Sequence, residues 1–303
     1  MYQAQVDEWG QAPVYTKVDE LPPPSADEIQ VKVLACGLHR VVRSRAAGKH
    51  YSSGTLPHVP GIDGVGVSAE GKRYYFFSFA IGAMADIVNA PKRTCLPLPE
   101  GVDPIQAAGV MNPAMSSWMA LQNRVCNLPK DFTILILGAT SASGRVAIHF
   151  ARVFGAKKVI GAARNRSALE TLGLDESIVI ADEASETDFG SLADVDVVLD
   201  YVYGPLTEHL LKTVKPAKRL QYVHIGAISS PDITLPGSVL RSKNLTITGS
   251  GAGAWSHAEM GDAIPSLLDA LRTLPEQPVR VAKLADVETE WASEGSERLV
   301  FVP

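Results

Sequence analysis

Residues 132–164 read FTILILGATSASGRVAIHFARVFGAKKVIGAAR. The run Phe132–Leu137 consists of β-branched and large apolar residues, which is typical of a strand buried on both faces. Small residues come next, and then a segment that predicts a helix from about Ser143. Small side chains let the backbone approach a pyrophosphate, and the first N–H groups of the helix can bind its oxygens. The contacts predicted for this turn are Gly138, Ala139, Thr140, Ser141, Ala142, Ser143 and Gly144.

The end of the second strand indicates which dinucleotide would bind. An NAD site places an acidic residue on the ribose 2′-hydroxyl about 20 residues after the turn. Arg164 stands at that place, with Arg166 two residues later, and no acidic residue competes there. A guanidinium binds a 2′-phosphate with a fork of donors, so we expect NADPH as the cofactor.

The turn departs from the G-x-G-x-x-G pattern. In that register it reads Ala139-x-Ser141-x-x-Gly144, and only the last glycine is strict. A Ser- and Ala-rich turn in an α/β protein that binds no nucleotide is therefore an alternative, and arginines are common on surface loops. The order of strand, turn and helix, and the distance to the two arginines, favour the cofactor site.

Composition narrows the class of protein. The chain has 303 residues, of which 46% are hydrophobic and 20% are charged, enough for two domains with substantial cores. Its net charge of −5 and the absence of a basic run argue against nucleic acid and anionic membranes as partners. The N-terminus does not resemble a signal peptide, and no apolar stretch is long enough to cross a bilayer. Three scattered cysteines, Cys36, Cys95 and Cys126, fit a reducing, cytoplasmic location.

The pattern of predicted strands and helices divides the chain into two parts. Residues 1–100 contain short alternating runs bounded by Pro and Gly clusters, which predicts an antiparallel barrel or sandwich. After a helical segment at about 103–124, strands and helices alternate as far as residue 249, which predicts a parallel sheet covered on both faces. The polar segment 180–195 is expected to replace one crossover helix by a loop. From Pro278 the tail returns to short strands, which suggests that it rejoins the first domain.

This order resembles the medium-chain dehydrogenase/reductase superfamily, and more closely its zinc-independent quinone oxidoreductase branch. The resemblance covers essentially the whole chain. It is carried by IQVKVLACGLH (29–39), PGIDGVGV (60–67), NPAMSSW (112–118), LGATSASG (137–144), RSKNLTITGSG (241–251) and RLVFVP (298–303). The resemblance implies an α/β protein with a GroES-like β-rich domain at 1–112, completed by 258–303, and a Rossmann domain at 113–257. It also implies a homodimer that forms through the nucleotide-binding sheet.

The resemblance also bears on metal. Zinc-dependent members carry a cysteine at the position of His39, His-Glu at Ile62-Asp63, and a second cysteine at Asn112. Ile62 cannot bind zinc, and the segment 68–81 is too short for a structural zinc lobe. A separate site made by His39, His50 and His58 is an alternative to scattered loop histidines, and we expect no metal.

Without zinc, the substrate must accept hydride easily, as quinones and α,β-unsaturated carbonyls do. Tyr51 lies where related reductases often place a tyrosine near the substrate, and its phenol could donate to the developing oxyanion. The alternative is a loop tyrosine that packs on the domain edge. His39 stands where related enzymes often have an asparagine near the nicotinamide, so it is a second candidate catalytic donor, or a histidine that only fills space.

Further cofactor contacts are expected at the junction of the domains and at the ends of strands. Asn112 and Ser117 are expected at the start of a helix, where they could touch the nicotinamide end or only cap the helix. Strand ends at the switch point of the sheet line the cofactor crevice. On that basis, and from the glycine-rich loop near residue 250, the further candidates are Tyr203, Gly226, Gly249 and Gly251.

The sequence thus predicts an NADPH-dependent, zinc-independent oxidoreductase acting on a quinone or an enone. One alternative is an enoyl or alkenal double-bond reductase of a biosynthetic pathway. Another, of a different class, is a non-catalytic NADPH-binding sensor or structural protein.

Overall fold

A computed structural model describes residues 1–293, 295 and 297–303. The chain divides into two compact units: unit 1 contains Met1–Asn112 and Leu268–Pro303, and unit 2 contains Pro113–Leu267. The strands of the described residues are β1 Tyr2–Gln5, β2 Val14–Lys17, β3 Glu28–Gly37, β4 Asp63–Ser68, β5 Arg73–Phe77, β6 Ile87–Pro91, β7 Cys95–Pro97, β8 Thr133–Leu137, β9 Lys158–Ala163, β10 Glu176–Val179, β11 Val197–Asp200, β12 Leu220–His224, β13 Leu245–Gly249, β14 Val279–Lys283 and β15 Arg298–Val302. The α-helices are α1 Arg40–Ala46, α2 Pro104–Asn123, α3 Ala142–Val153, α4 Arg166–Glu170, α5 Pro205–Thr213, α6 Gly237–Ser242, α7 His257–Ala270 and α8 Val287–Glu290.

Unit 2 is built on a six-stranded sheet in the order β10-β9-β8-β11-β12-β13, with every neighbouring pair parallel. Counted from β8 as the first strand, this is the order 3-2-1-4-5-6 of the Rossmann fold. The predicted parallel sheet is therefore confirmed. Between β10 and β11 the chain forms two short 3₁₀ turns, Ala184–Glu186 and Leu192–Asp194, in place of a crossover α-helix, as the polar composition of that segment predicts.

The central strand β8 supplies both cores of unit 2. Side chains alternate between the faces of a strand. Ile134 and Ile136 pack into one hydrophobic cluster, beneath helix α3, while Leu135 and Leu137 pack into the other, with helix α5. All four side chains are fully buried, which explains why the strand reads as a continuous apolar run.

The turn after β8 depends on two glycines. Gly138 has a φ of +85°, a left-handed conformation that glycine adopts without steric cost. A Cβ at Gly144 would lie 2.3 Å from the carbonyl oxygen of Gly138, so only glycine lets helix α3 start this close to the turn. Ser141 caps the helix: its Oγ accepts a hydrogen bond from the Gly144 N–H at 3.0 Å.

Unit 1 contains a seven-stranded sheet in the order β14-β15-β3-β4-β5-β7, with β6 paired to β3, and a separate β1-β2 hairpin. Strand β15 pairs antiparallel with β3, so the tail of the chain completes the sheet that its beginning forms. The core combines residues from both parts of the chain, including Val31, Phe76 and Phe301.

One expectation about unit 1 needs correction, and one of its helices was not predicted. Residues 258–267 of helix α7 lie in unit 2, whereas the sequence assigned them to the first domain. The physical reason is that the start of α7 binds to the residue that follows α2. Arg124 forms a 3.3 Å ion pair with Glu259, and its guanidinium also donates to the carbonyl of Ala254. Helix α1 was not predicted from the sequence: its buried residues, Val42, Arg45 and Ala46, have helical spacing, but one of the three is an arginine.

Within the described ranges, none of the helices combines the length and the apolar character that a membrane span requires.

Candidate functional site

A cavity of about 830 Å³ opens within unit 2. Its walls come from the carboxyl ends of four neighbouring strands, β8, β9, β10 and β11, from helix α5, and from the segment after β12. Ligands bind at this edge of a parallel sheet, where the strand order reverses. The lining residues are Gly138, Thr140, Ser141, Ala163, Arg164, Ile180, Ala181, Asp182, Glu183, Ala184, Ser185, Tyr201, Val202, Pro205, Leu206, Glu208, His209, Lys212, Ile228 and Ser229.

The turn after β8 offers only some of its N–H groups to a ligand. Those of Gly138 and Ala139 donate to the carbonyl of Ala162, at 2.9 and 3.1 Å. The Ala139 side chain is fully buried in the core, so this residue supports the turn and does not face the cavity. In helix α3, Ser141 accepts the N–H groups of Gly144 and Arg145. The first N–H groups of a helix have no intrahelical acceptor, which leaves those of Ala142 and Ser143 for an anion.

The two arginines have different positions. Arg164 directly follows β9, is exposed and lines the cavity, and within the described part of the chain its guanidinium forms no ion pair. Arg166 begins helix α4, is exposed, and is not among the cavity residues. Asp182 and Glu183 line the same cavity as Arg164, so the expectation that no carboxylate competes near this arginine is wrong. Both acids follow a different strand, β10, to which the sequence analysis did not apply the rule that identified Arg164.

A saturated carboxylate fixes the loop after β11. Asp200 is fully buried, and its Oδ1 accepts the N–H groups of Val202 and Tyr203 at 2.7 and 3.0 Å. Its Oδ2 accepts the hydroxyls of Thr207 and Tyr222. Burial and the charge of Asp200 raise the pKa of Tyr222, which keeps that phenol protonated as a donor. The arrangement holds Tyr203 at a φ of +58°.

The structure does not bring the remaining candidates of unit 2 to the cavity. Tyr203 packs its ring on His224, with the centroids 4.1 Å apart, and Tyr201 and Val202 line the cavity instead. Gly226 approaches the backbone of Tyr201: a Cβ there would lie 3.2 Å from its carbonyl oxygen. The glycines at 249 and 251 have open space around them and do not line the cavity.

The expectation that Asn112 and Ser117 start a helix is wrong. Helix α2 begins at Pro104, and its first N–H groups are capped by Asp103, whose Oδ1 accepts from Ile105 and Gln106 at 3.0 and 2.9 Å. Both candidates therefore lie inside the helix. Ser117 is fully buried, and its hydroxyl donates to the carbonyl of Ala114. Neither residue is among those that line the cavity.

His39 is a core residue of unit 1 and does not meet the expectation of a donor that touches substrate. Its side chain is 1% exposed, with Nε2 3.2 Å from Oδ1 of Asp63. The two atoms are close but do not meet the geometry of a hydrogen bond. Asp63 Oδ2 accepts the hydroxyl of Tyr75 at 2.9 Å, and burial raises the pKa of that phenol. The ring of His39 packs against Gly37, where a Cβ would lie 2.5 Å from Nε2.

Tyr51 lies on the surface of unit 1, in the loop after α1. Its side chain is 73% exposed, and its ring packs on that of His50 at a centroid distance of 4.1 Å. His50 Nδ1 lies 2.8 Å from Ser52 Oγ. Among the described residues, no three His, Cys, Asp or Glu side chains are grouped as a metal site requires, so the alternative site of His39, His50 and His58 is not formed.

Comparison with known proteins agrees with this architecture. The chain is 34% identical to the probable NADPH-dependent quinone reductase tdiC of Emericella nidulans, over the full length of both proteins. The chain belongs to the medium-chain dehydrogenase/reductase superfamily, in its quinone oxidoreductase-like branch. No model of a known protein family matches it.

Two solved structures of this superfamily show the same fold. The quinone oxidoreductase of Thermus thermophilus, determined alone and in complex with NADPH, superimposes with a TM-score of 0.82 at 24% identity, covering all of both chains. A mycobacterial quinone oxidoreductase superimposes with a TM-score of 0.85 at 20% identity, also over all of both chains. The predicted fold class, a GroES-like domain with a Rossmann domain, is confirmed.

Several candidate functional residues of this chain were not identified from the sequence. Asp182 and Glu183 follow the carboxyl end of β10, and the rule that identified Arg164 after β9 could have found them. His209 and Lys212 lie on helix α5, and no local pattern marks them as cavity residues. Arg45 was missed because arginine is seldom buried.

The loop histidines predict a dependence of stability on pH. Burial, and then the charge of Arg45, hold the pKa values of His50 and His58 below 6.5 in the folded state. In the unfolded chain both histidines titrate near 6.5, so below that pH the unfolded state binds more protons. We expect the free energy of unfolding to fall as the pH drops below 6.5, as measured by urea unfolding between pH 7.5 and 5.5. The variant with His50→Asn and His58→Asn should lose less over this range, and parallel curves for the two proteins would contradict the assignment.

Proposed function

We propose that this chain is an NADPH-dependent oxidoreductase that reduces quinones. The observation that carries the proposal is the position of Arg164, a guanidinium without an ion pair in the described residues, at a strand end that lines the cavity built on the β8 turn. The name of the full-length relative from Emericella nidulans, a probable NADPH-dependent quinone reductase, supports it.

The residues of unit 2 fit this cofactor. Because Gly144 has no side chain, the turn can be compact. A pyrophosphate could therefore approach the N–H groups of Ala142 and Ser143. Arg164 would hold the 2′-phosphate. Asp182 and Glu183 are acceptors for ribose hydroxyls or an adenine amino group, and they make the arginine necessary, because alone they would repel a phosphate.

NADPH, when bound, supplies the hydride. Addition of that hydride and one proton converts a quinone into a hydroquinone, and negative charge develops on the quinone oxygen. Tyr51 is accessible and can donate its hydroxyl hydrogen to that oxygen. His39 is not proposed as a donor, because it is buried against Asp63.

We further propose that the reaction needs no zinc. Ile62 is apolar and cannot bind a metal, and the neighbouring Asp63 is engaged with His39 and Tyr75.

The free thiols of Cys36, Cys95 and Cys126 support a reducing, cytoplasmic location, which localisation of a fluorescent fusion can test.

One assay tests the acceptor, the cofactor and the metal together. The purified protein should oxidise NADPH when a quinone is present, and at an unchanged rate after treatment with EDTA. An α,β-unsaturated carbonyl accepts hydride by the same chemistry and belongs in the same assay. Binding of NADPH without turnover of any acceptor would instead support a sensor or structural protein.

Arg164→Ala tests cofactor preference. A hydrogen bond to a charged group contributes about 1.5–3 kcal/mol, so the affinity for NADPH should fall by at least roughly tenfold. The affinity for NADH should change little, because NADH lacks the 2′-phosphate. Arg166→Ala is the matched control and should change neither affinity strongly in a fluorescence titration. Equal losses in the two variants would remove the assignment of Arg164.

Tyr51→Phe tests the donor. The substitution keeps the ring and removes only the hydroxyl. If the hydrogen bond forms in the transition state, kcat should fall while NADPH binding stays intact, and loss of such a donor can cost ~10²-fold. The measurement is steady-state kinetics with the best quinone found, and an unchanged kcat would assign proton donation to water.

We also propose a homodimer that forms through strand β13. This strand is an edge of the unit 2 sheet, so one side of its backbone is unpaired, and Ile247 on it is exposed. Light scattering after gel filtration should give twice the mass of one chain, and Ile247→Lys should dissociate the dimer. Ser177→Lys on the opposite edge strand, β10, is the control and should remain dimeric. A monomeric wild-type protein would contradict the proposal.

A further inference from the structure

The wall of the unit 2 cavity that follows strand β10 is a closed turn. Residues 180–185 line the cavity, and the chain then passes through the 3₁₀ turn Ala184–Glu186. Thr187 closes the turn: it is only 3% exposed, and its Oγ1 accepts the N–H of Ala181 at 3.2 Å. The backbone at Asp182 therefore lies between two residues that a hydrogen bond joins.

Helix α5 also holds this turn. His209 Nε2 lies 2.9 Å from the carbonyl oxygen of Thr187, and because a carbonyl only accepts, the imidazole donates. The ring of His209 packs near that of Phe189, a buried core residue, at a centroid distance of 5.7 Å. His209 itself lines the cavity. One side chain of the cavity wall thus fixes the turn that carries Asp182.

The Asp182 carboxylate keeps its hydrogen-bonding capacity for a ligand. It is exposed and lines the cavity, and within the described ranges its side chain forms no hydrogen bond or ion pair. Glu183 lines the cavity too, but its side chain has one more rotatable bond, so the backbone defines the position of its carboxylate less closely. Asp182 is therefore the acceptor that the turn places most firmly.

The chemistry of the proposed ligand restricts what this carboxylate can contact. In the adenosine 2′-phosphate part of NADPH, the hydrogen-bond donors are the 6-amino group of the base and the 3′-hydroxyl of the ribose. The 3′-hydroxyl is next to the 2′-phosphate, so a carboxylate bound to it would be repelled by that charge. The 6-amino group is remote from the phosphate, and a carboxylate that binds it meets no like charge.

We propose that Asp182 accepts a hydrogen bond from the 6-amino group of adenine and selects this base, and that His209 is the positioning residue that holds Asp182 there through Thr187. This inference rests on the proposed function of the chain. It goes beyond the choice between NADPH and NADH, which Arg164 is proposed to make, because it assigns recognition of the base to another residue of the same cavity.

The test compares NADPH with reduced nicotinamide hypoxanthine dinucleotide phosphate. The two compounds differ only in the base, where hypoxanthine carries an oxo group, an acceptor, in place of the amino group. A carboxylate opposite an oxo group brings two acceptors together, so wild type should bind NADPH about tenfold more tightly. Both compounds contain the same fluorescent dihydronicotinamide, so a titration without a quinone gives both Kd values and their ratio, analogue over NADPH.

Asp182→Asn should remove the preference. An amide can accept from the amino group or donate to the oxo group, so the Kd ratio should fall to about one. Loss of the negative charge should tighten both complexes by the same factor, since both compounds carry the 2′-phosphate, and this leaves the ratio unaffected. Glu183→Gln is the matched control: it removes the same charge one residue later and should keep the wild-type ratio.

Two variants test the positioning role of His209. His209→Leu removes the donor to the Thr187 carbonyl and should lower the Kd ratio well below that of wild type. His209→Gln keeps an N–H donor near the position of Nε2 and should retain the wild-type ratio. An unchanged ratio in His209→Leu would overturn the positioning role.

Glu208→Gln is the control on the same helix. Glu208 accepts the N–H of Thr234 at 2.7 Å, so this variant disturbs the wall that follows β12 and leaves the turn after β10 intact. Both Kd values should change by the same factor. A merely structural role of His209 would give this same pattern, with both Kd values shifted and their ratio unchanged.

The outcomes separate this inference from the proposed function. If NADPH binds and is oxidised in the presence of a quinone, but the hypoxanthine analogue binds equally well, the proposed function stands and the inference is overturned. An unchanged ratio in Asp182→Asn, or an equal loss of preference in Glu183→Gln, also overturns it. If wild type binds neither dinucleotide, the proposed function fails, and the inference fails with it.

Discussion

Helix α3 can follow strand β8 only because no side chain stands at position 144. A Cβ there would lie 2.3 Å from the Gly138 carbonyl oxygen and 2.6 Å from the Ala139 Cα. With glycine present, the helix starts against the turn, and its first N–H groups point to the carboxyl edge of the sheet. The cavity of unit 2 opens at that edge, so its position follows from this one close approach.

Much of unit 2 could be predicted because its signals are local. The apolar run at β8 reflects burial on both faces, and the alternation of strand and helix reflects parallel pairing. The arginine directly after β9 was also found by spacing. Spacing cannot distinguish a residue at a strand end from one that begins the next helix. It therefore could not show that Arg164, which follows β9, lines the cavity, whereas Arg166, at the start of α4, does not.

Two buried polar residues of unit 1, one misplaced and one missed by sequence reasoning, have partners that lie far along the chain. His39 is buried because Asp63, 24 positions later, meets it across the fold. Arg45 is buried because Phe79, 34 positions away, accepts its hydrogen bond. A histidine or arginine in a short polar segment is normally expected to be exposed on the protein surface. The residues next to it in the sequence do not indicate a hydrogen-bond acceptor that lies far along the chain. The one available signal was Asp63 itself, an acid within the apolar segment that begins at Pro60.

Hydrogen-bond saturation separates scaffold from ligand site in unit 2. Asp200 and Arg164 both lie at the carboxyl ends of the strands that flank β8, where the fold predicts function for each. Asp200 accepts four hydrogen bonds from the chain, which leaves it no capacity for a ligand, and it serves to hold the backbone at Tyr203. Arg164 keeps its donors for the cavity. A charged group at a strand end is available to a ligand where the protein leaves its hydrogen-bonding capacity unfilled, and this condition, more than position in the motif, is the reason to propose Arg164 as the residue that contacts the cofactor.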